Sequence, residues 1–423
     1  MIPLTTEGKN VIVLMLDRAI GAYVPFIFEE KPELKEQFDG FAFYPNTVSF
    51  GKHTNYGAPA LFGGYDYTPA AMEQRTDMNL MEKHDEALKV MPVLFEESGG
   101  KVTIGKLPFI HYKRVMDVSF LSEYENIDVF DLNERYAGIY ETDEFWNQRI
   151  RNFCFYSLFK IAPVFLQDDV YDSGAYFTAD WNSFMNEQEF LQSYASLKGL
   201  SELTDVTNTK ENTLFIYDNE TPHEPVILPL PDYDLTQAGG VFSEEMAEMR
   251  EVDGITLRFD QEYQENSVGF YHVNMATMLT LGKWFDELRE NGVYDNTRII
   301  LVADHGGESG QFDHLLFKGI DVEAVNPLLM VKDFDSHGFL VDNSFMTNAD
   351  VPSIALSGLV EIMKNPFTGN ELAVDTENKA ADIIWADDWD IDENNGIGFQ
   401  PYDAPWYHVK GVISDPENWE RVR

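Results

Sequence analysis

Short unbroken apolar runs alternate along this chain with longer periodic ones. Asn10–Leu16 (NVIVLML), Lys101–Gly105, Asn212–Tyr217 (NTLFIY), Arg298–Val302 (RIILV) and Asn326–Lys332 (NPLLMVK) are short, rich in β-branched residues and apolar at successive positions. Strands buried on both faces read this way, as parallel sheets require. Tyr271–Asn291 differs. Met275, Met278, Leu279, Leu281, Trp284, Phe285 and Leu288 form a broad helical face, and Asn291-Gly292 supplies the stop. Val90–Glu97 reads as a helix end halted by Ser98-Gly99-Gly100, and Val351–Met363 as a further helix before a turn at Asn365–Gly369. Between Ala19 and Lys35, Pro25 and Pro32 interrupt a partly helical stretch, and Phe38–Phe50 is aromatic and turn-rich. Thr54 stands before a small-residue segment ending in Gly63-Gly64, which predicts a short helix with Thr54 as its N-cap.

Strands alternating with helices predict an α/β fold, a mostly parallel central sheet flanked by helices on both faces. Residues 1–369 carry this pattern. Within them, residues 109–201 are irregular and aromatic-rich and read as a lid or insertion, mostly helical from Asp143 to Phe165. Residues 370–423 are acidic and interleaved with Trp385, Trp389, Trp406 and Trp419. They are expected to form a smaller C-terminal α+β portion packed on the rest.

Composition narrows the function. With 44% hydrophobic and 14% aromatic residues, the 423-residue chain can bury a sizeable core. Its 73 acidic against 30 basic residues give a net charge of −43, which excludes non-specific nucleic-acid binding and disfavours adhesion to anionic headgroups. One cysteine, Cys154, permits no internal disulfide and no cysteine-based metal cluster, and its apolar neighbours predict a buried thiol. No transmembrane run and no signal peptide is visible, so the expectation is a soluble chain, either whole or the soluble part of a membrane-anchored protein.

The chemistry gathers at strand ends. Arg298–Val302 runs into Ala303-Asp304-His305-Gly306-Gly307-Glu308. Taken alone, Asp304-His305 is a capping aspartate beside a partly buried histidine. The first strand, however, ends at Asp17, and the Asn212–Tyr217 strand leads to Asp218 and His223. Ligands in parallel α/β sheets sit beyond the carboxyl ends of strands, where such residues converge. Two carboxylates and an imidazole suit one divalent cation, Mn²⁺ or Zn²⁺ before Mg²⁺. Thr54, at a helix N-terminus that attracts anions, is the candidate nucleophile and a further metal ligand. Such a site attacks a phosphate or sulfate ester. His53 reads as a phosphate contact or a surface histidine, Glu308 as a support for His305 or a solvated helix start, His272 as structural, and His408 has no assignable role.

Together these residues resemble the alkaline phosphatase superfamily. The carriers are the strand ending at Asp17, Thr54 before its Gly-Gly helix, Thr221-Pro222-His223-Glu224-Pro225, and Ala303-Asp304-His305-Gly306-Gly307-Glu308. Asn326-Pro327-Leu328-Leu329 and Asp350-Val351-Pro352-Ser353 extend the likeness to about Gly369. It is most similar to the branch of sulfatase-like hydrolases, lipoteichoic acid synthases and phosphoethanolamine transferases. The resemblance implies an alkaline phosphatase-like fold, with Asp17, Thr54, Asp304 and His305 holding the metal. It implies Thr54 as covalent nucleophile and His223 as phosphate binder or proton donor. His314 is the candidate ligand for a second metal or for substrate.

The implied activity is hydrolysis or transfer of phosphoesters or phosphodiesters on an envelope lipid or polymer, with an extracytoplasmic location and the cytoplasm left open. Sulfate-ester hydrolysis, a phosphomutase and a non-catalytic metal-containing envelope protein are the alternatives. Three departures bear on the branch. The first ligand is Asp17 rather than the glutamate of the lipoteichoic acid synthases. The Thr54 segment lacks the C/S-x-P-x-R motif of formylglycine sulfatases. A single cysteine cannot supply the disulfides of phosphoethanolamine transferases.

Overall fold

The computed structural model describes residues 1–113, 117–136, 153–171, 181–235, 240–259, 263–372, 379–387, 389–392, 394–399 and 403–423. Its centre is an eight-stranded sheet. In chain order the strands are β1 (Asn10–Leu16), β2 (Phe41–Phe43), β3 (Lys101–Lys106), β4 (Ile127–Val129), β5 (Thr213–Asn219), β6 (Thr297–Val302), β7 (Leu329–Lys332) and β8 (Leu340–Val341). Across the sheet the order is β8-β2-β7-β6-β1-β5-β3-β4. Only β7 runs against the rest, antiparallel to both β6 and β2. The block from β6 through β1, β5 and β3 to β4 is parallel throughout.

β1 shows why these runs carry no polar alternation. Ile12, Leu14 and Leu16 face one core, Val11, Val13 and Met15 the other, and all six are fully buried. On the first face lies the long helix Gln264–Glu290, with Trp284, Phe285 and Leu288 in the core. Against the second pack helices α1 (Thr54–Gly63), α2 (Leu80–Glu97) and the short helix Val351–Leu356. The sheet is thus covered on both sides, as predicted.

Several boundaries differ from expectation for identifiable reasons. The long helix begins at Gln264, seven residues before the apolar face becomes visible, because its first turn is polar. The helix expected over Val351–Met363 stops at Leu356, where Gly358 takes a positive φ of 73°. Pro25 does not break a helix but opens Val24–Glu30, where its missing N–H costs nothing. Phe38–Phe50, read as aromatic and turn-rich, also contains β2. An additional strand, Ile2–Thr5, pairs with Thr204–Thr207 outside the main sheet.

Within the insertion, residues 153–161 and Val164–Tyr171 are helical. The earlier part of that expectation, 143–152, lies outside the described residues. Cys154 is exposed rather than buried, because its helix stands away from the core. The C-terminal portion is, among the described residues, a three-stranded antiparallel sheet (Ala381–Ile384, Trp406–Val409, Trp419–Arg421) with one 3-10 turn. No helix among the described residues is long and apolar enough to cross a membrane.

Candidate active site

Parallel strands deliver their last residues to one edge, and three neighbours do so here. Asp17 follows β1, Asp218 is the penultimate residue of β5, and Asp304-His305 follow β6 by two residues. Asp17, Asp218, Asp304 and His305 are all buried. One ligand atom each from Asp17, Asp304 and His305 lies within 4.8 Å of the others. His305 Nδ1 donates to the Gly306 carbonyl at 2.6 Å, so the lone pair is on Nε2. That nitrogen lies 3.9 Å from Asp17 Oδ1 and 3.7 Å from Asp304 Oδ2. These same two oxygens are buried and accept no hydrogen bond among the described residues.

Burial, reinforced by Asp304, pushes Asp17 well above the usual carboxylate range, and burial pulls His305 below its ordinary value. Two unpaired carboxylate oxygens and an imidazole lone pair converging in a buried site are costly alone and well matched to a divalent cation. The donor set therefore fits the expected metal.

Thr54 lines the same cavity, of about 670 Å³, as Asp17, His223 and His305. It is not the N-cap. His53 holds that position with extended backbone angles, and Thr54 is the first helical residue. Its hydroxyl is therefore not committed to capping its own helix. α1 reaches the metal loop closely because residue 57 is glycine: a Cβ there would lie 2.1 Å from the Asp304 carbonyl oxygen. Asn348 ties the two segments together. Its Nδ2 donates to the Asp304 carbonyl at 2.9 Å and to the Gly57 carbonyl at 3.2 Å. The C-terminal portion holds the same helix from outside: Asn55 donates to the Trp389 carbonyl at 2.9 Å and Tyr56 to the Asp387 carbonyl at 2.8 Å.

His223 closes another side. Its Nδ1 donates to Glu224 at 2.9 Å and its Nε2 lies 3.9 Å from Asp17 Oδ1. Burial would lower its pKa, but Asp17 and Glu224 outweigh that and raise it to about 9. Arg18 donates its backbone N–H to Asp304 Oδ1 at 3.2 Å from a left-handed conformation, φ 61°. Its guanidinium stacks 4.3 Å from the Phe270 ring. Lys106, at the end of β3, lies 2.7 Å from Glu220 and 3.4 Å from Asp218. Burial lifts Asp218 and Lys106 opposes the rise, leaving it at about 7.

The structure thus brings together Asp17, Thr54, His223, Asp304 and His305. It does not bring in His314, which lies in a 3-10 turn and lines a separate cavity with Val24, Phe28 and Ile413. Nor does His272 approach: it accepts a hydrogen bond from the Leu228 amide inside the core. Glu308 contacts Lys52 at 3.1 Å, and Lys52 also reaches Asp387 at 3.0 Å. Arg18, Lys106 and Asn348 were not singled out from sequence. Lys106 alone left a signal, as the last residue of a buried strand directed to the edge where Asp17 and Asp218 lie.

No family model matches the sequence, and no curated protein does. Solved structures do resemble it. A protein from a Bacteroides thetaiotaomicron locus for metabolism of multiple glycosaminoglycans shares 12% identity over 96% of this chain and 85% of its own, with a TM-score of 0.51. A Vibrio parahaemolyticus protein in the alkaline phosphatase superfamily shares 13% over 99% and 83%, TM-score 0.48. A Listeria monocytogenes lipoteichoic acid synthase shares 11% over 89% and 78%, TM-score 0.44. At such identities the likeness is one of architecture alone, a mixed α/β fold built on a mostly parallel eight-stranded sheet.

Proposed function

We propose that the chain is a metal-dependent phosphoric-ester hydrolase or transferase acting through a covalent Thr54 intermediate. The observation carrying this reading is the pair of buried oxygens that accept no hydrogen bond among the described residues, Asp17 Oδ1 and Asp304 Oδ2, facing His305 Nε2 in the cavity that Thr54 lines. Asp17, Asp304, His305 and Thr54 would hold one divalent cation, with Mn²⁺ or Zn²⁺ suited to the mixed oxygen and nitrogen donors. When bound, it lowers the pKa of the hydroxyl and offsets charge on the transferred group. His314 is left out of this set.

The chain's own groups supply the rest. The N-terminus of α1 presents amides to an anion beside Thr54, and the His223 imidazolium and Arg18 add positive charge. In the first half-reaction the Thr54 Oγ–P bond forms as the bond from phosphorus to the leaving oxygen breaks. Thr54 gives up its proton to solvent, and His223 supplies one to the leaving oxygen. Water or an acceptor hydroxyl then forms its bond to phosphorus as the Thr54 Oγ–P bond breaks, giving its proton to His223, while solvent returns a proton to Thr54 Oγ. An envelope lipid headgroup or polymer outside the cytoplasm is the substrate setting we favour.

The test is intact mass. Incubation with Mn²⁺ or Zn²⁺ and a panel of phosphodiesters, phosphomonoesters and aryl sulfates is expected to add a phosphoryl-type mass that maps to Thr54. It is absent in Thr54→Ala. A Thr54→Ala variant that hydrolyses phosphodiesters at the wild-type rate would end the proposal, and turnover confined to aryl sulfates would move it to sulfate esters.

A further inference from the structure

The insertion carries a surface unlike the rest of the molecule. Residues 153–161 and Val164–Tyr171 form two helices joined at Ala162-Pro163. Gln167 Nε2 donates to the carbonyls of Ala162 at 3.2 Å and Phe159 at 3.3 Å, so carbonyls at the turn are satisfied from within. Ring contacts between Phe159 and Tyr171, centroids 6.1 Å apart, hold the helices against each other. What remains outward is apolar: Phe153 is 76% exposed, Ile161 79%, Val164 83% and Phe165 80%. Clustered exposed apolar side chains of this size mark a contact surface rather than ordinary surface scatter.

Charge identifies the partner. The stretch Phe153–Gln167 (FCFYSLFKIAPVFLQ) contains no acidic residue in a chain that has 73 of them, its one charge is Lys160, and the two acids of the hairpin, Asp168 and Asp169, come only after it. Lys160 lies over the Tyr156 ring at 5.2 Å, the ammonium of an extended stem above an aromatic body. Exposed phenylalanine and branched aliphatic residues at a turn, with tyrosine and lysine beside them, are the composition of a segment seated at a lipid interface. Internally satisfied carbonyls allow such a tip to enter a medium that offers no hydrogen bonds. A folded partner protein or a second copy would place charge or hydrogen-bonding groups around the rim, and this face offers little to meet them.

We infer that the hairpin spanning 153–171 docks the protein onto a phospholipid bilayer, its turn inserted at the interface. The inference stands apart from the catalytic reading.

Cys154, the only cysteine in the chain and exposed on this hairpin, is a ready reporter. The full chain labelled there with an environment-sensitive fluorophore is mixed with phosphatidylcholine vesicles. A blue shift and co-flotation are expected, weakened by added phosphatidylglycerol at low salt because the body carries a charge of −43. The double variant Ile161→Glu/Phe165→Glu should lose at least about tenfold in vesicle affinity, with an unchanged thermal unfolding midpoint. Absence of flotation overturns the inference, as does flotation that the double variant leaves intact. A concentration-dependent dimer that the variant dissolves, without any vesicle binding, would assign the face to a second copy instead.

Discussion

Replacing Gly57 by alanine isolates the approach of α1 to the metal loop. The added Cβ would lie 2.1 Å from the Asp304 carbonyl oxygen, whereas a carbon–oxygen contact needs roughly 3.2 Å or more, so helix and loop must part by about 1 Å. Neither side yields easily, because the contact is backbone to backbone and Asn348 binds both carbonyls. Thr54 sits one turn away on the displaced helix, and Asp304 carries one of the converging oxygens. A misplacement of about 1 Å costs on the order of 100-fold in rate, or about 2.7 kcal/mol of transition-state stabilisation. Stability changes less. Overpacking costs about 1–3 kcal/mol, and alanine's helix propensity returns about 1 kcal/mol. Phosphodiester hydrolysis with saturating divalent metal, paired with thermal unfolding, separates the two effects. The expected outcome is a folded protein with a deep fall in kcat. A variant within twofold of wild type in kcat/KM would refute the close-packed geometry on which the site rests.

Two further outcomes follow from individual contacts. Removing divalent metal with a chelator should abolish activity. Restoring it at about 100 times its dissociation constant should stabilise the fold by about 2.7 kcal/mol. His305→Ala should erase that gain, and an undiminished thermal shift in the variant would remove His305 from the donor set. Far from the site, burial and then Arg250 lower His272 from 6.5 to about 4, and its Nδ1 must stay unprotonated to accept from Leu228. Its contribution is therefore complete above pH 6.5 and is lost as pH falls toward 4, about 3 kcal/mol in all. Urea unfolding of His272→Gln and wild type across this range should converge on the acid side, and parallel curves would contradict the assignment.

The strands that position the site were legible because burial on both faces leaves an unbroken apolar run, as in β1, β5 and β6. Their ends announced Asp17, Asp304 and His305, and the strand before His223 brought that residue to the same edge. β2 and β8 were not legible: at three and two residues they are too short for any pattern to stand out. Thr54 was placed at the right helix terminus but one position early, since hydroxyl residues are the ordinary N-cap and histidine is not. Arg18, Lys106 and Asn348 act through partners hundreds of residues away in some cases, and no local pattern encodes such pairings. Cys154 misled for the opposite reason. Apolar neighbours normally signal burial, and here they signal an outward face.

The hold of Asp387 and Trp389 on the first turn of α1 has a consequence for how the molecule comes into being. A chain leaving the ribosome amino end first can finish its eight-stranded sheet once Leu340–Val341 has emerged. The carbonyls that anchor Asn55 and Tyr56 are synthesised later still. Until they arrive, a nascent chain can own every candidate ligand and still lack these two braces on the first turn of α1. A stop between Asn348 and Asp387 would leave α1 tied through Asn348 but without the two carbonyls that brace its first turn.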